Sequence, residues 1–502
     1  MMESIQQAVL PHDRYQIELK LDYELHSGKQ THYQVETYIF APRTLAISEE
    51  TYPKRYFYSD LKNYIRFKTP TLILRDFDTS KDSPLHAIRT IIQQSGWVTD
   101  PRQIKPLVEQ LKLLAAMLKS AIREHIDHLR IQLEHTSGGN AHRLCDNLIQ
   151  EFLSATHQIS QSYDNLLPEF SLPNIDESIL TGYTFTDESI SVLLEEGLIE
   201  LLGLLDEYQL AEMTELKELL RSRIHAEVAH RREKGYESLL DTEGDNELYN
   251  YRVSILKKYA SSILYLSTST QREGQKLEHF AQAIAAGIAM IFATTIAFYF
   301  QWRFGNFTFP FFVALVVGYM FKDRVKEIGR GLFMNTLHNF IYDRRIAIYT
   351  QDKKHQIGIL REKVSFISED ELPRRIHEAR DYDTFVQIEN DRAGETIIRY
   401  TKDIVLFADA IREIMGAATQ ITSINDIIRY DIRSFLSKMD DPIQDRLMLK
   451  DDELITVPTH KVYHINLISK YAARAPKKDK VYRRHRVILN RSGIKRIEGV
   501  SI

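Results

Sequence analysis

The stretch that decides the fold is Phe280–Phe321, "FAQAIAAGIAMIFATTIAFYFQWRFGNFTFPFFVALVVGYMF". In a chain that is 27% charged, these 42 residues carry a single charge, Arg303. Phe280–Phe300 is long enough, at about 1.5 Å rise per residue, to cross a hydrocarbon core of roughly 30 Å as a helix. Its Phe and Ile side chains favour insertion by a summed ~2–5 kcal/mol, more than Gln282, Thr294 and Thr295 cost. Phe307–Phe321 is shorter and reaches only about 22 Å, a shortfall that local thinning of the bilayer or an earlier helical start covers. Pro310 sits where a first helical turn tolerates it, and Gly305 and Asn306 supply a turn. The reading is a transmembrane helical hairpin, residues 277–321, with Tyr299 and Trp302 at one interface and Tyr319 at the other.

Lysine and arginine set its orientation. Arg303 alone lies in the loop, whereas Arg272 and Lys276 precede the first span and Lys322, Arg324, Lys326 and Arg330 follow the second. Both flanks, and with them both termini, belong on the cytoplasmic side of a bacterial inner membrane. No secretory signal is visible in "MMESIQQAVLPHDRYQ". Ala281, Ala285, Ala289, Ala293 and Ala297 recur every fourth residue, and Ala314 and Gly318 repeat that spacing. Helices in lipid associate through close packing, so this ridge marks a tight contact within the hairpin or between protomers.

The remainder reads as α+β: a long-helix bundle or coiled coil flanked by terminal regions of mixed helix and strand. Residues 1–77 form an N-terminal unit in which Ile17, Leu19, Leu21, Tyr23 and Leu25 alternate with charges, and "HYQVETYIF" (His32–Phe40) returns as the partner of a hairpin. Residues 85–276 form the cytoplasmic helical region. Ile104, Val108, Leu111, Ala115, Leu118, Ile122, His125 and Leu129 make a seam along one helix. A second helix covers about 141–166, and a third block runs from Asp187, as N-cap, to Tyr236. Glu247–Gln275 lacks proline and is expected to enter the first span as one rod, while 322–342 extends the second span into the cytoplasm. In 343–502, "FVQIEND" and "ETIIRYT" frame a hairpin, Ile421–Met439 reads as a helix, and "HKVYHINLISKY" and "VYRRHRVILN" are late strands ending in a basic tail.

Charge is unevenly placed. Asp187–Glu247 holds 17 acidic residues against 6 basic ones, and Lys470–Glu498 holds 11 basic against 2 acidic. Lys477, Lys478, Lys480, Arg483, Arg484 and Arg486 are therefore candidates for an anionic lipid or an acidic protein partner, or for the acidic helices themselves. Nucleic acid is disfavoured by a net charge of −4 and by only two tyrosines in the tail.

No chemistry is legible. P-loop, GxGxxG, GxSxG and HExxH patterns are absent, so no cofactor is expected. The single cysteine, Cys145, excludes a disulfide framework and any zinc site needing two thiolates. His125 and His128 share a helix face but lack further ligands, and Asp440–Asp441 reads as a cap or turn. The expectation is a non-enzymatic, membrane-anchored, oligomeric scaffold or regulator. Its rivals are an enzyme with its site in the C-terminal domain and an oligomeric channel or membrane-remodelling assembly.

Overall fold

The computed structural model describes all but residues 1–4, 27–29, 95–96, 98–99, 136–138, 174, 209–212, 306–307, 381–393, 416–420, 476–478 and 502. The fold is mixed α+β with several long helices. It divides into two compact units, one of residues 1–65, 267–411 and 426–502, the other of residues 66–266 and 412–425.

The first unit is built on two sheets. A four-stranded sheet has the order β1-β2-β9-β4, from β1 (Ile5–Pro11), β2 (Gln16–Glu24), β4 (Leu61–Phe67) and β9 (Ser423–Asp431). An eight-stranded sheet has the order β14-β13-β12-β3-β8-β7-β6-β5. Its strands are β3 (Gln30–Pro42), β5 (Ser267–Arg272), β6 (Arg344–Tyr349), β7 (Gln356–Ile367), β8 (Glu395–Phe407), β12 (Tyr463–Ala475), β13 (Asp479–Asn490) and β14 (Gly493–Val500). Alternation turns Ile17, Leu19, Leu21 and Tyr23 of β2 inward, against Val35 and Ile39 of β3 and Leu467 and Tyr471 of β12. The helix α1 (Lys54–Asp60) closes one end of this core with Phe57, whose ring lies 5.2 Å from that of Tyr430. On the opposite face of the larger sheet, α11 (Arg374–Arg380) packs Ile376 and Ala379 against Tyr38, Phe40, Ile397 and Ile468.

Three sequence expectations are corrected here. The alternating segments β2 and β3 do not form a hairpin with each other: β2 pairs with β1, and β3 lies between β8 and β12 in the other sheet. The reason is visible in β3, whose last residues Tyr38–Ala41 are buried on both faces, as only a central strand allows. Ile421–Met439 is not a helix but contains β9 followed by the single turn Arg433–Leu436; Ile424, Asp426, Ile428 and Tyr430 point inward with period two. Glu247–Gln275 is not a rod, because α8 (Glu247–Ser262) ends before β5, and Gly274 (φ 86°) breaks the chain again ahead of the next helix. The strand expected over residues 385–391 lies outside the described residues.

The second unit is helical: α2 (Pro84–Ile92), α3 (Pro101–Glu134), α4 (Gly139–Asp164), α5 (Leu167–Phe170), α6 (Glu177–Glu207), α7 (Thr214–Glu233) and α8. Asp100 caps α3, accepting from the Arg102 backbone N–H at 2.9 Å. The α3 seam is wider than the heptad reading, since Leu107, Leu114 and Ile126 are buried beside Leu111, Leu118, Ile122 and Leu129. Gly197 lets α6 approach α3 closely: a Cβ there would stand 2.8 Å from Ile122 Cγ2. Asp187 is not an N-cap. α6 starts ten residues earlier, capped by Asp176, and ends at Glu207, with α7 beginning anew at Thr214.

Candidate membrane-anchoring hairpin

The helix α9 (Gln275–Phe304) begins behind Gly274, where Arg272 pairs with the first-turn Glu278 at 2.9 Å, and ends at Gly305 (φ 81°). Its segment Leu277–Phe304 is long and apolar enough to cross a membrane, with a mean hydropathy of 2.0 in its most apolar window, of which only 11% is buried. It is the single helix among the described residues that meets this standard. The helix α10 (Phe309–Phe340) combines an apolar first part with charges from Lys322 onward.

The two helices pack antiparallel through their smallest residues. Ala281, Ala285 and Ala289 of α9 and Ala314 of α10 are buried, Gly318 is buried beside them, and Ala293 and Ala297 are partly covered. A Cβ on Gly318 would lie 3.8 Å from the Ala293 carbonyl oxygen, and one on Gly329 3.4 Å from Ala285 Cβ. The four-residue ridge is thus turned, at these positions, toward the other helix of the same chain.

Most of the larger apolar side chains point outward, although Ile296 lies against Gly318. Trp302 is 82% exposed, Phe309 78%, Ile291 68%, and Phe298 and Met320 66% each. Fully burying such a side chain is worth about 1.5–3 kcal/mol, so these five alone represent about 7–15 kcal/mol. That equals the whole stability of an ordinary domain. A soluble protein places such residues in its core; here they surround a core made of alanine and glycine.

The helix register limits how deep the hairpin sits. Between the Gly318–Ala293 and Gly329–Ala285 contacts, α10 carries Lys322, Asp323, Arg324, Lys326 and Glu327, while α9 carries Gly287 to Phe292. The first charges of α10 therefore lie beside the middle of the apolar run of α9. From its start to the first charge, α10 is uncharged only over Phe309–Phe321, about 13 residues or about 20 Å. Lys322 lies over the Tyr319 ring at 4.6 Å, and Arg324 meets Glu327 at 3.4 Å. Arg324, Lys326 and Arg330 are exposed, as is Arg303 at the loop.

The basic tail divides into buried and exposed positions. Arg484 is 1% exposed and donates to the Ala379 carbonyl at 2.8 Å and to Asn466 Oδ1 at 3.2 Å, a pillar between β13, β12 and α11. Arg486 is partly buried on the same face, while Lys480 and Arg483 are exposed. Lys477 and Lys478 lie outside the described residues.

Other polar groups have structural partners. Between the sheets, Lys402 is fully buried and donates to Asp426 Oδ2 at 2.5 Å, with Glu362 at 4.0 Å. Tyr400 donates to Glu362 at 2.7 Å and Tyr23 to Asp426 at 3.2 Å; burial, then the adjacent carboxylates, drive both phenol pKa values upward. In the helical unit a cavity of about 140 Å³ is lined by Asp164, Asp187, Arg223, Glu227 and His230. Asp187 holds His230 at 3.1 Å and Tyr236 at 2.6 Å. A second cavity, of about 270 Å³, lies beside α11, where Arg380 and Glu395 pair at 2.5 Å. His125 meets the Leu148 carbonyl at 2.9 Å rather than His128, which is exposed. No group of three metal-ligating side chains converges among the described residues. Burial pushes the Cys145 thiol up to about 11, far from a reactive thiolate. Asp440 and Asp441 bind Lys461 and Arg491 across a chain crossing. Comparison with protein-family models, curated proteins and solved structures finds no match.

Proposed function

We propose that the protein is a membrane-anchored scaffold or regulator, held in the bilayer by the α9–α10 hairpin with both compact units in the cytoplasm. One observation carries this reading: a helix of mean hydropathy 2.0 that is only 11% buried, paired with a second helix whose large apolar residues also face outward. Water does not tolerate such a surface, and lipid does. The uncharged depth of α10, about 20 Å, is short of a full hydrocarbon core. Crossing twice requires the bilayer to thin around the hairpin and Lys322 and Arg324 to extend toward the headgroups.

The helix register favours a second reading, in which the hairpin enters from one leaflet and turns back within it. Both readings leave the soluble units on one side. In the two cavities Arg380 pairs with Glu395, His230 with Asp187 and Arg223 with Glu227, which favours a structural role for these groups over an enzymatic one. The exposed basic residues Lys480 and Arg483 suit an anionic lipid surface or an acidic partner.

Flotation of the purified protein with phospholipid vesicles tests the anchor. We expect it to float with the lipid and to resist extraction by alkaline carbonate. Recovery in the lipid-free fraction would refute the anchor in both forms.

A further inference from the structure

Near its loop the α9–α10 hairpin is apolar all round, but from Lys322 onward the charges of α10 separate two sides. Gly318 and Gly329 face α9, which fixes the inward direction of α10. At about 100° per residue, Phe321, Ile328 and Leu332 fall about 60°, about 80° and about 40° to one side of Gly318. Lys322, Lys326 and Arg330 fall about 40°, about 80° and about 120° to the other. Phe321 is 55% exposed, Ile328 63% and Leu332 66%, so the apolar three are open to whatever surrounds the hairpin.

The same division runs along α9, where the buried Ala285 and Ala289 mark the direction of α10. Leu277, Ile284 and Ile288 stand about 100–140° from Ala289 to one side, and His279 and Ala283 about 80–120° to the other. Because the helices are antiparallel, residues displaced in the same rotational sense from the contact lie on the same side of the pair. Leu277, Ile284 and Ile288 therefore join Phe321, Ile328 and Leu332 in one apolar side. The other side carries small and charged residues. Arg324 stands at the outer margin of the apolar side, and its pairing with Glu327 at 3.4 Å draws the guanidinium toward the outer face of α10.

We propose that this half of the hairpin, 277–291 of α9 and 321–332 of α10, is an interfacial lipid-binding surface. Its apolar side lies in the acyl region of the leaflet nearest the soluble units, and its charged side faces headgroups and water. The inference rests on the anchoring proposed above and extends lipid contact to residues beyond the uncharged part of α10. Continuity selects lipid as the occupant. The apolar side runs into the all-apolar part of the hairpin through Val317 and Phe321 on α10 and through Ile291 on α9, all exposed. A protein occupant would end at the bilayer surface behind a polar rim, and no such rim crosses this side. The other exposed apolar stretch, the two-stranded sheet of β10 (Ile443–Lys450) and β11 (Glu453–His460), lacks this continuity, since Asp445 interrupts its row of Ile443, Leu447 and Leu449. The lipid boundary thus stands at Lys322 on one side of the hairpin and at Leu332 on the other, about 15 Å apart along the axis. A flat leaflet meets both when the hairpin leans with its apolar side down. A hairpin that turns back within one leaflet leans freely, whereas one that crosses twice loses depth by leaning and needs further thinning.

The test is fluorescence quenching on full-length protein in vesicles of phosphatidylcholine and phosphatidylglycerol, with flotation measured on the same samples. Ile328→Cys, Leu332→Cys, Lys326→Cys and Arg330→Cys are made singly and carry a thiol-linked fluorophore; Cys145 is buried and gives the background. All four positions are exposed, so the label displaces no core contact. Lipids brominated on the acyl chain should quench the label at 328 and 332 about threefold or more over that at 326 and 330, and iodide in the water should reverse the order. On α9 the same contrast is expected between Ile288→Cys and Ala283→Cys. Protein that floats with acyl quenching alike at all four α10 sites overturns the one-sided surface and leaves the anchor standing. Labels at 328 and 332 shielded from both quenchers would show a protein occupant, a second copy included, and overturn the proposal with the anchor intact. Protein that does not float overturns the anchor and this inference with it.

Discussion

Lys402→Met is the sharpest test of the packing between the two sheets. The substitution keeps the length of the side chain and removes its charge. Lys402 is fully buried between Asp426 at 2.5 Å and Glu362 at 4.0 Å, so the change leaves two buried carboxylates with no cation between them. Tyr23 and Tyr400 each donate one hydrogen bond to this pair, which softens the loss without replacing a charge. Breaking a buried ion pair from one side costs about 3–5 kcal/mol, whereas removing both partners together is often close to neutral. For a unit of this size that corresponds to a fall in Tm of about 6–20 °C. The assay is thermal unfolding of detergent-solubilised protein followed by near-UV circular dichroism, which reports the tyrosines of the sandwich. Lys402→Met/Asp426→Leu should recover at least half of the loss. A single variant within about 1 kcal/mol of wild type, or a double variant no better than the single, would show that the centre is solvated and the reasoning wrong.

The remaining predictions address the other elements. Ala285→Leu overpacks the α9–α10 contact and should cost about 1–3 kcal/mol, while Gly287→Leu, with nothing within 4 Å of its Cβ position, should be neutral or stabilising; Tm in detergent separates them. The hydrogen bond to the Asp187 carboxylate raises the His230 pKa above 6.5, and burial raises that of Glu227 above 4.5. For raised groups, stability is greatest below the unfolded pKa and is lost as pH climbs through the folded one. The helical unit should therefore lose stability from about pH 4.5 upward through Glu227 and from about pH 6.5 upward through His230, and Asp187→Asn should remove the second loss, read as Tm against pH. Arg484→Met should destabilise by about 1–3 kcal/mol by stranding the Ala379 carbonyl and Asn466, yet leave binding to anionic vesicles unchanged. Lys480→Glu/Arg483→Glu should weaken that binding, and equal binding by both variants would remove the lipid reading of the tail.

How far the sequence carried depends on the element. The α3 helix was legible because its apolar spacing of three and four runs for 34 residues without competition. The apolar hairpin was legible from the absence of charge alone. What failed were places where local pattern and tertiary demand differ. Ser423–Asp431 reads either way over a short window, and its β-branched Ile424, Ile427 and Ile428 settled as a strand once a sheet was there to receive them. The short turn between β2 and β3 suggested a hairpin, but both strands found better partners hundreds of residues away, at β9 and at β8 and β12. Among the basic residues of the tail, Arg484 is buried where its guanidinium meets the Ala379 carbonyl of α11, a tertiary contact that charge counting ignores. The charge register of α10 against α9 was invisible without the close Gly329–Ala285 approach.

The most direct test of the anchored account is sidedness. Arg303→Cys at the hairpin loop and Lys495→Cys on the exposed surface of β14 are introduced singly, with buried Cys145 as the silent background. Vesicles with the soluble units outside are treated with a membrane-impermeant maleimide before and after permeabilisation. A hairpin that crosses twice predicts that Lys495→Cys reacts at once and Arg303→Cys only after permeabilisation, with the protein floating throughout. Immediate labelling of Arg303→Cys to the same extent as Lys495→Cys would contradict the double crossing.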